Sequence, residues 1–275
     1  MNILRYIPKA YLSWFVGHLV RVPLPGPLAR LSIKVFAWLY SIDISMATLP
    51  LSGYRSIGDF FIRDLRPELR LIGEPVVCPV DGRLRDCAHL DASGTITQVK
   101  GIDYSLSELL GGDPLVSHFE QGQLWNFYLS PQDAHHIHAP VSGKIVKTIH
   151  LPGALWPVND WALRSIPGLF AVNERVVVFI ESDLGLIAVV MVGATNVGRI
   201  KLSYLDVETN KAPWRRSEPR TFEHAPPVDI SRGAKLGTFK MGSSVILVTQ
   251  RRLVDGQVHQ SALPTRYGVA LSALF

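Results

Sequence analysis

The chain has 275 residues, of which 47% are hydrophobic, so it can bury a sizeable core and its composition argues against disorder as the main state. Its two cysteines are too few for a disulfide framework and lack the spacing of a metal knuckle, which favours a reducing cytosolic compartment. The formal charge of +5 suits anionic partners, either phospholipid head groups or nucleic acid, and does not choose between them.

Two apolar segments occupy the first fifty residues. The run from Ala10 to Val20 is too short to span a bilayer, which takes roughly 20 apolar residues, and it lacks the cleavage site of a signal peptide. From Pro27 onward, an apolar stripe at helical spacing predicts an amphipathic helix. The stripe comprises Leu28, Leu31, Val35, Trp38, Leu39 and Ile42, with Arg30, Lys34 and Ser41 on the opposite face. Such a helix either lies in a bilayer interface or packs on its own domain, and we interpret residues 1–50 as a membrane-association segment.

The remainder, residues 51–275, is predicted to form a β-rich domain with short helices. One short helix should begin after Ser56 and lead into a polar connector, Arg63 to Arg70, and another should begin after Ser105. Four prolines between Glu208 and Arg232 predict a long surface loop. Strands are predicted at Val76–Val80, Thr95–Val99, Leu124–Leu129, Lys144–Ile149, Arg175–Ile180, Leu186–Val192, Arg199–Tyr204 and Val245–Thr249. The predicted fold class is α+β, with a β-rich core preceded by N-terminal helices.

Three short segments contain residues suited to catalysis, in the order Asp, His, Ser. Asp81 precedes a turn glycine at the end of an apolar run, which is also an ordinary turn pattern. Ser243 lies in a Gly-Ser-Ser triplet before an apolar strand, and this triplet is not the Gly-x-Ser-x-Gly elbow of a serine hydrolase. Each segment alone is a weak signal.

The middle segment places three histidines within four positions, from His135 to His138. Imidazole is the side chain best suited to move protons near neutral pH. A metal site is not expected, because no nearby Glu or Cys completes a ligand set for the His-x-x-His spacing. If the segment is extended, His136 and His138 share one face and His135 points to the other, so their roles should differ.

Taken together, these segments resemble the phosphatidylserine decarboxylase family in content and in order. The resemblance rests on Tyr54-Arg55-Ser56, Phe60-Phe61-Ile62-Arg63, Leu65-Arg66-Pro67, Val80-Asp81-Gly82, Lys100-Gly101, Tyr104-Ser105-Leu106, Leu109-Leu110-Gly111, Tyr128-Leu129-Ser130-Pro131, Asn173-Glu174-Arg175, Val192-Gly193-Ala194-Thr195, the histidine segment and the Gly-Ser-Ser triplet. The chain departs from the family at Ala134 and His136, where Tyr and Arg are usual, and at Ser244, where Thr is usual. The first two departures affect residues that could contact substrate, whereas Ser244 keeps a hydroxyl.

The resemblance implies a barrel or sandwich arrangement of the sheets and a precursor that cleaves itself. Ser243 would attack the carbonyl of Gly242, with His138 as general base and Asp81 orienting its imidazole. The products would be a β chain, residues 1–242, and an α chain, residues 243–275, that begins with a pyruvoyl group made from Ser243.

The resemblance also implies the reaction of the mature enzyme. The pyruvoyl cofactor would form a Schiff base with the amine of phosphatidylserine and accept the electrons released with carbon dioxide. His135 is the expected proton donor, and phosphatidylethanolamine is the expected product. No metal is expected.

A diacyl lipid leaves the bilayer at a cost of about 0.8 kcal/mol per exposed methylene, so we expect a peripheral enzyme on the cytoplasmic face of the cell membrane. Lys211, Arg215 and Arg216 are candidates to contact the lipid phosphate or the anionic surface. The cleaved chains would stay associated, and a homodimer is compatible with this interpretation. The alternatives are a lipid-binding module that never cleaves itself and a hydrolase acting through an intact Ser243, while nucleic-acid binding has no motif to support it.

Overall fold

The computed structural model describes residues 9–91, 93–98, 102–195, 198–211, 217–240, 243–256 and 263–275. Its helices are α1 (Lys9–Leu19), α2 (Gly26–Leu39), α3 (Ile57–Phe61), α4 (Leu106–Leu110), α5 (Asp160–Ser165) and α6 (Leu169–Val172). Its strands are β1 (Gly82–His89), β2 (Thr95–Gln98), β3 (Ile102–Ser105), β4 (Gln123–Leu129), β5 (His136–His138), β6 (Gly143–Leu151), β7 (Arg175–Ser182), β8 (Gly185–Gly193), β9 (Ile200–Leu202), β10 (Arg220–Ile230), β11 (Lys235–Phe239), β12 (Ser243–Thr249) and β13 (Leu263–Thr265). The predicted α+β class is therefore confirmed.

An eight-stranded antiparallel sheet forms the centre of the molecule, in the order β10-β6-β7-β8-β12-β4-β1-β13. Strands β7 and β8 are nearly continuous apolar runs, which is typical of strands that are covered on both faces. Within the described residues, the edge strands β10 and β13 do not pair with each other, so this sheet is open. Of the two expected arrangements, barrel and sandwich, the described residues therefore do not form the barrel.

Different layers cover the two faces of the sheet. Along β12, Val245 and Leu247 point into one core and Ile246 and Val248 into the other, because strand side chains alternate. The first core is completed by a three-stranded sheet, β5-β11-β9, as in a sandwich. The second core is completed by α4, α5 and α6. The small sheet thus holds the histidine strand against the large one.

Two predictions of local structure are wrong. Val76–Val80 makes only an isolated bridge, between Val77 and Ala270, rather than a strand. The predicted loop from Glu208 to Arg232 contains the edge strand β10, whose pairing with β6 shifts register between Glu223 and Val228. The prolines of this strand lie inside the irregularity, where no ladder hydrogen bond is needed, and an edge strand tolerates such a gap.

The two N-terminal helices expose most of their large apolar side chains. The predicted helix α2 is confirmed, but it packs through a narrow stripe of small and medium residues, Ala29, Ile33 and Ala37, rather than through the predicted stripe. The exposed members of the predicted stripe are Leu28, Leu31, Val35, Trp38 and Leu39, and only Ile42 is buried. On α1, Tyr11, Phe15 and Leu19 are exposed in the same way. Among the residues described, no helix is long and apolar enough to cross a membrane.

Candidate active site

The Asp and Ser segments lie at the end of the large sheet where β1 and β12 begin and β4 and β8 end. Strand β12 begins at Ser243, which lies opposite Leu129 at the end of β4 and Gly193 at the end of β8. Strand β1 pairs with β4 on the side away from β12, and the two strands are antiparallel. Strand β1 therefore begins where β4 ends, directly after Asp81. Residue Gly242 and the side chain of Ser243 lie outside the described part of the chain.

The histidine strand connects to both of these segments through backbone hydrogen bonds. The N–H of His138 donates to the carbonyl of Pro79 at 2.8 Å, two residues before Asp81. The N–H of Phe239 donates to the carbonyl of His135 at 2.8 Å, four residues before Ser243. The fold therefore places all three sequence-predicted segments in one region, although they are distant in the chain.

The Asp81 carboxylate is buried and binds two partners that the sequence did not reveal. Nε and Nη2 of Arg70 donate to its two oxygens at 3.1 and 2.5 Å, and the backbone N–H of Tyr267 donates to Oδ1 at 2.9 Å. No hydrogen bond joins Asp81 to His138 among the described residues. The link between them instead passes through Tyr267, whose ring stacks on the imidazole of His138 at 3.8 Å with 14° between the planes. Direct orientation of His138 by Asp81 stays a prediction.

The environment of His138 favours one neutral tautomer. Burial, followed by the nearby His136 and Lys235, lowers the pKa of His138 to about 3, while Asp64 acts in the opposite direction. Nδ1 lies 3.3 Å from the carbonyl oxygen of Gly233 and donates its hydrogen there. Nε2 then carries the lone pair, which is the arrangement that a general base needs.

His135 is fully buried and has one unused nitrogen. Its Nδ1 donates to the carbonyl of Asp133 at 2.9 Å, and its ring lies 4.0 Å from that of Phe61. Its Nε2 is buried and has no hydrogen-bond partner among the described residues. Burial is the main cause that lowers the pKa of His135 to about 3. Its resting form is therefore neutral, and it must take up a proton before it can donate one from Nε2.

His136 lies on the other side of the histidine strand, as the extended conformation predicts. Its ring centroid is 6.4 Å from that of His138, while Ile137 between them points into the core. Nδ1 of His136 lies 2.9 Å from the hydroxyl of Thr238, and Nε2 lies 3.1 Å from Oδ1 of Asp64. Across the described residues, no group of three potential ligands could hold a metal ion.

A cavity of about 470 Å³ opens beside Asp81. Arg70 and Arg63 line it, and both belong to the segment that the sequence suggested was a polar connector. Arg63 is only 3% exposed and donates from Nη2 to the carbonyl of Gln132 at 2.7 Å. The sequence indicated this cavity lining only through the arginines clustered in the connector from Arg63 to Arg70.

Of the three predicted phosphate-contacting residues, the structure describes Lys211, which lies beside Glu208. Nζ of Lys211 lies 3.8 Å from Oε2 of Glu208, and Lys211 is largely exposed. Arg215 and Arg216 lie outside the described residues. The other cations around Glu208 were not predicted, because they come from three separate parts of the chain.

Comparisons with known proteins agree on one family. A family model described as phosphatidylserine decarboxylase matches residues 57–271. The chain is 43% identical over 251 residues to a phosphatidylserine decarboxylase proenzyme of Anaeromyxobacter sp. (strain K), covering 90% of this chain and 88% of the relative. It is 39% identical over 268 residues to the proenzyme of Myxococcus xanthus (strain DK1622), covering 96% and 94%. It is 38% identical over 271 residues to the proenzyme of Acidovorax ebreus (strain TPSY), covering 97% and 94%.

Proposed function

Because the chain belongs to the phosphatidylserine decarboxylase family, we propose that it converts phosphatidylserine to phosphatidylethanolamine with a pyruvoyl group made from its own Ser243. The matching family model and the relatives named as proenzymes confirm the expectation of an enzyme of this decarboxylase family. The observation that carries the proposal is the meeting of the family's Asp, His and Ser segments at one end of the sheet.

Self-cleavage is the first step of the proposal. The hydroxyl of Ser243 attacks the carbonyl carbon of Gly242, Nε2 of His138 takes the hydroxyl proton, and that proton passes to the departing nitrogen as the peptide bond breaks. The Nδ1 hydrogen bond to Gly233 supports this role, because it leaves the lone pair on Nε2. Elimination from the resulting ester frees the Gly242 carboxylate, and hydrolysis with loss of ammonia leaves the pyruvoyl group on residue 243.

The residues around Ser243 suit such a group. The buried Nε2 of His135 has no partner among the described residues, and a buried polar atom of this kind needs one. The backbone carbonyl of His135 accepts from the N–H of Phe239, in the segment that leads to Ser243. The pyruvoyl group supplies a carbonyl that accepts the electrons released when carbon dioxide leaves. His135 would deliver the proton that replaces the carboxylate, after taking up the proton that the substrate's ammonium group loses when it becomes a free amine.

The exposed face of α1 and α2 is proposed to contact the membrane. Its apolar side chains include Phe15, Leu31 and Trp38, and Trp38 is 80% exposed. Patches of this kind on a soluble surface commonly mark interaction sites, and an amphipathic helix can lie in the interface of a bilayer. Residues 1–50 would thus hold the protein at the cytoplasmic face of the membrane, where its lipid substrate lies.

The intact mass of freshly purified protein tests the proposal. We expect two chains, residues 1–242 and 243–275, and a mass gain on the smaller chain after borohydride reduction of its terminal carbonyl. A single 275-residue mass, or a 243–275 chain that still begins with serine, contradicts the proposal. An uncleaved chain that reacts with serine-directed phosphonates would instead support a hydrolase.

A further inference from the structure

Glu208 is surrounded by more positive charge than it can neutralise. Nζ of Lys240 donates to its Oε1 at 2.6 Å, Nη1 of Arg199 lies 3.5 Å from the same oxygen, and Lys211 approaches Oε2. Arg21 interacts electrostatically with both Arg199 and Glu208: burial and Arg199 lower the pKa of Arg21, and Glu208 raises it. We call these five residues the Glu208 cluster.

The charges in this cluster do not balance. The cluster contains four cations and one anion, Glu208. Asp59, which acts electrostatically on Arg21, adds a second negative charge, so two positive charges remain in excess. The side chains of Arg199 and Glu208 are only 12% and 13% exposed, so water screens these charges weakly. Nε of Arg199 and Nη2 of Arg21 are buried without a hydrogen-bond partner in the part of the chain that is described. Buried cations and donors without partners cost free energy, so an anion that pairs with them would stabilise this site.

The cluster links the end of α1 to the segment that precedes Ser243 in the chain. Arg21 follows the end of α1 by two residues, and α3 holds it there, since the N–H of Gly58 donates to the carbonyl of Val20 at 2.8 Å. The backbone N–H of Lys240 donates to the carbonyl of Arg199 at 2.9 Å. Lys240 is three residues from Ser243, a separation of at most about 11 Å in extended chain. An anion held here would therefore lie near both the membrane-facing helices and the reacting end of the α chain.

We propose that Arg21, Arg199 and Lys240 bind the phosphodiester of the substrate's head group. The inference rests on the proposed function. Of the two anions in a phosphatidylserine head group, the carboxylate is lost in the reaction, and a strong ion pair to it would stabilise the ground state against its loss. The phosphodiester keeps its charge throughout, so cations that bind it position the lipid without opposing the chemistry. Glu208 competes with the phosphodiester for the same donors and keeps the cluster folded when no lipid is bound.

The test uses self-cleaved enzyme and dihexanoyl phosphatidylserine below its micellar concentration, so that no bilayer is present. We expect Arg199→Gln to raise KM at least about tenfold, the effect of one lost charge-assisted hydrogen bond, with kcat changed less than about threefold. Arg199→Lys should restore most of the loss. Arg199 donates from Nη2 to the main-chain carbonyl of Asn210 at 3.5 Å. The matched control is Arg252→Gln, because Arg252 likewise donates to one main-chain carbonyl, that of Gln121, and lies beyond the opposite end of β12.

Competition by soluble head groups gives a second measurement. Glycerophosphoethanolamine should inhibit the wild type competitively and far better than ethanolamine, and Arg199→Gln should remove this difference. Glu208→Gln should lower the inhibition constant of glycerophosphoethanolamine, because it removes the competing carboxylate. Glu208→Gln should strengthen binding where Arg199→Gln weakens it, so the proposal can still be tested if the Arg199→Gln protein fails to fold or to cleave itself.

Three outcomes would overturn the proposal. One is a KM and an inhibition constant within about twofold of wild type in both Arg199→Gln and Glu208→Gln. Another is an effect seen with anionic vesicles but not with monomeric substrate, which would assign the cluster to bulk lipid. The third is stronger inhibition by inorganic phosphate than by the diester. If the wild type releases no carbon dioxide, the proposed function fails, and calorimetric binding of glycerophosphoethanolamine to the same variants then decides the role of the cluster separately.

Discussion

Tyr267 contacts His138 with its ring and Asp81 with its backbone. The two rings are 3.8 Å apart and nearly parallel, while the N–H of Tyr267 donates to Oδ1 of Asp81 at 2.9 Å. A residue near the end of the chain thus connects the proposed general base to the carboxylate expected to support it. The connection is mechanical, because the stacked ring limits rotation of the imidazole.

This relationship predicts that Tyr267→Ala slows self-cleavage. Loss of the stacked ring frees the imidazole of His138 to rotate, and a loss of about 1 to 1.5 kcal/mol of aromatic contact corresponds to about a tenfold slower rate. The fraction of uncleaved chain, followed by gel electrophoresis during expression and after purification, measures the rate. Tyr267→Phe is the control, since it keeps the ring and the backbone N–H. Equal rates for both variants and the wild type would show that the stack is dispensable.

A second prediction concerns the buried ion pair of Arg70 and Asp81, whose side chains are 3% and 9% exposed. Asp81→Asn leaves the guanidinium of Arg70 buried without its counter-charge, so we expect the free energy of unfolding to fall by about 3 to 5 kcal/mol. Urea denaturation should be measured in a Ser243→Ala background, where both proteins stay single chains. The control is Glu74→Gln, which breaks the exposed pair with Arg232 and should cost less than about 1 kcal/mol. Similar losses for both substitutions would contradict the prediction.

The parts of the fold that were predictable are those set by local pattern. Strands β7 and β8 are nearly continuous apolar runs, and α3 begins directly after Ser56, whose hydroxyl accepts from the N–H of Asp59 at 3.0 Å. Strand β10 was missed because its prolines signal a loop, although an edge strand with a register shift accommodates them.

The partners of the site residues could not be predicted from pattern. Asp81 and Tyr267 are 186 positions apart, and neither the Asp-Gly turn nor the sequence around Tyr267 points to the other. The exposed face of α2 was hidden for a different reason. Periodicity finds an apolar stripe but does not say whether that stripe or the narrower one of Ala29, Ile33 and Ala37 packs on the domain.

The pH dependence of stability follows from the buried histidines. The pKa values of His135 and His138 are lowered to about 3 and that of His136 to about 4, mainly by burial, whereas an unfolded histidine titrates near about 6.5. Below that pH the unfolded chain binds protons that the folded chain does not, so stability is fully present above about 6.5 and is lost as the pH falls toward 4. Each histidine contributes a slope of up to about 1.4 kcal/mol per pH unit.

Urea denaturation of the Ser243→Ala protein at pH 5 and pH 7 would measure this slope. His136→Gln should make it shallower by about one proton, and Leu71→Ser, an exposed change without a titrating group, should leave it unchanged. An unchanged slope in His136→Gln would mean that His136 is charged in the folded protein.

The membrane proposal predicts that polar substitutions on α1 and α2 weaken binding to vesicles. Full insertion of one large apolar side chain contributes about 1.5 to 3 kcal/mol, so Trp38→Ser should reduce partitioning into anionic vesicles at least about tenfold. Cosedimentation measures this directly. Leu71→Ser is a matched control, because Leu71 is 87% exposed but lies outside the two helices. Equal losses for Trp38→Ser and Leu71→Ser, or no loss for either, would contradict a docking role for this face.

Substitutions of His135 and His138 should separate the two stages of the proposed reaction. His138→Ala removes the Nε2 lone pair of the proposed general base, so the chain should stay uncleaved at 275 residues. His135→Ala leaves His138 and its hydrogen bond to Gly233 in place, so cleavage should proceed at least in part, while carbon dioxide release falls by about 100-fold or more, the usual effect of losing a proton-transferring group. Gel electrophoresis reports the first stage, and carbon dioxide release per borohydride-reducible α chain reports the second. Normal cleavage in His138→Ala, or normal turnover in His135→Ala, would show that the roles have been assigned to the wrong residues.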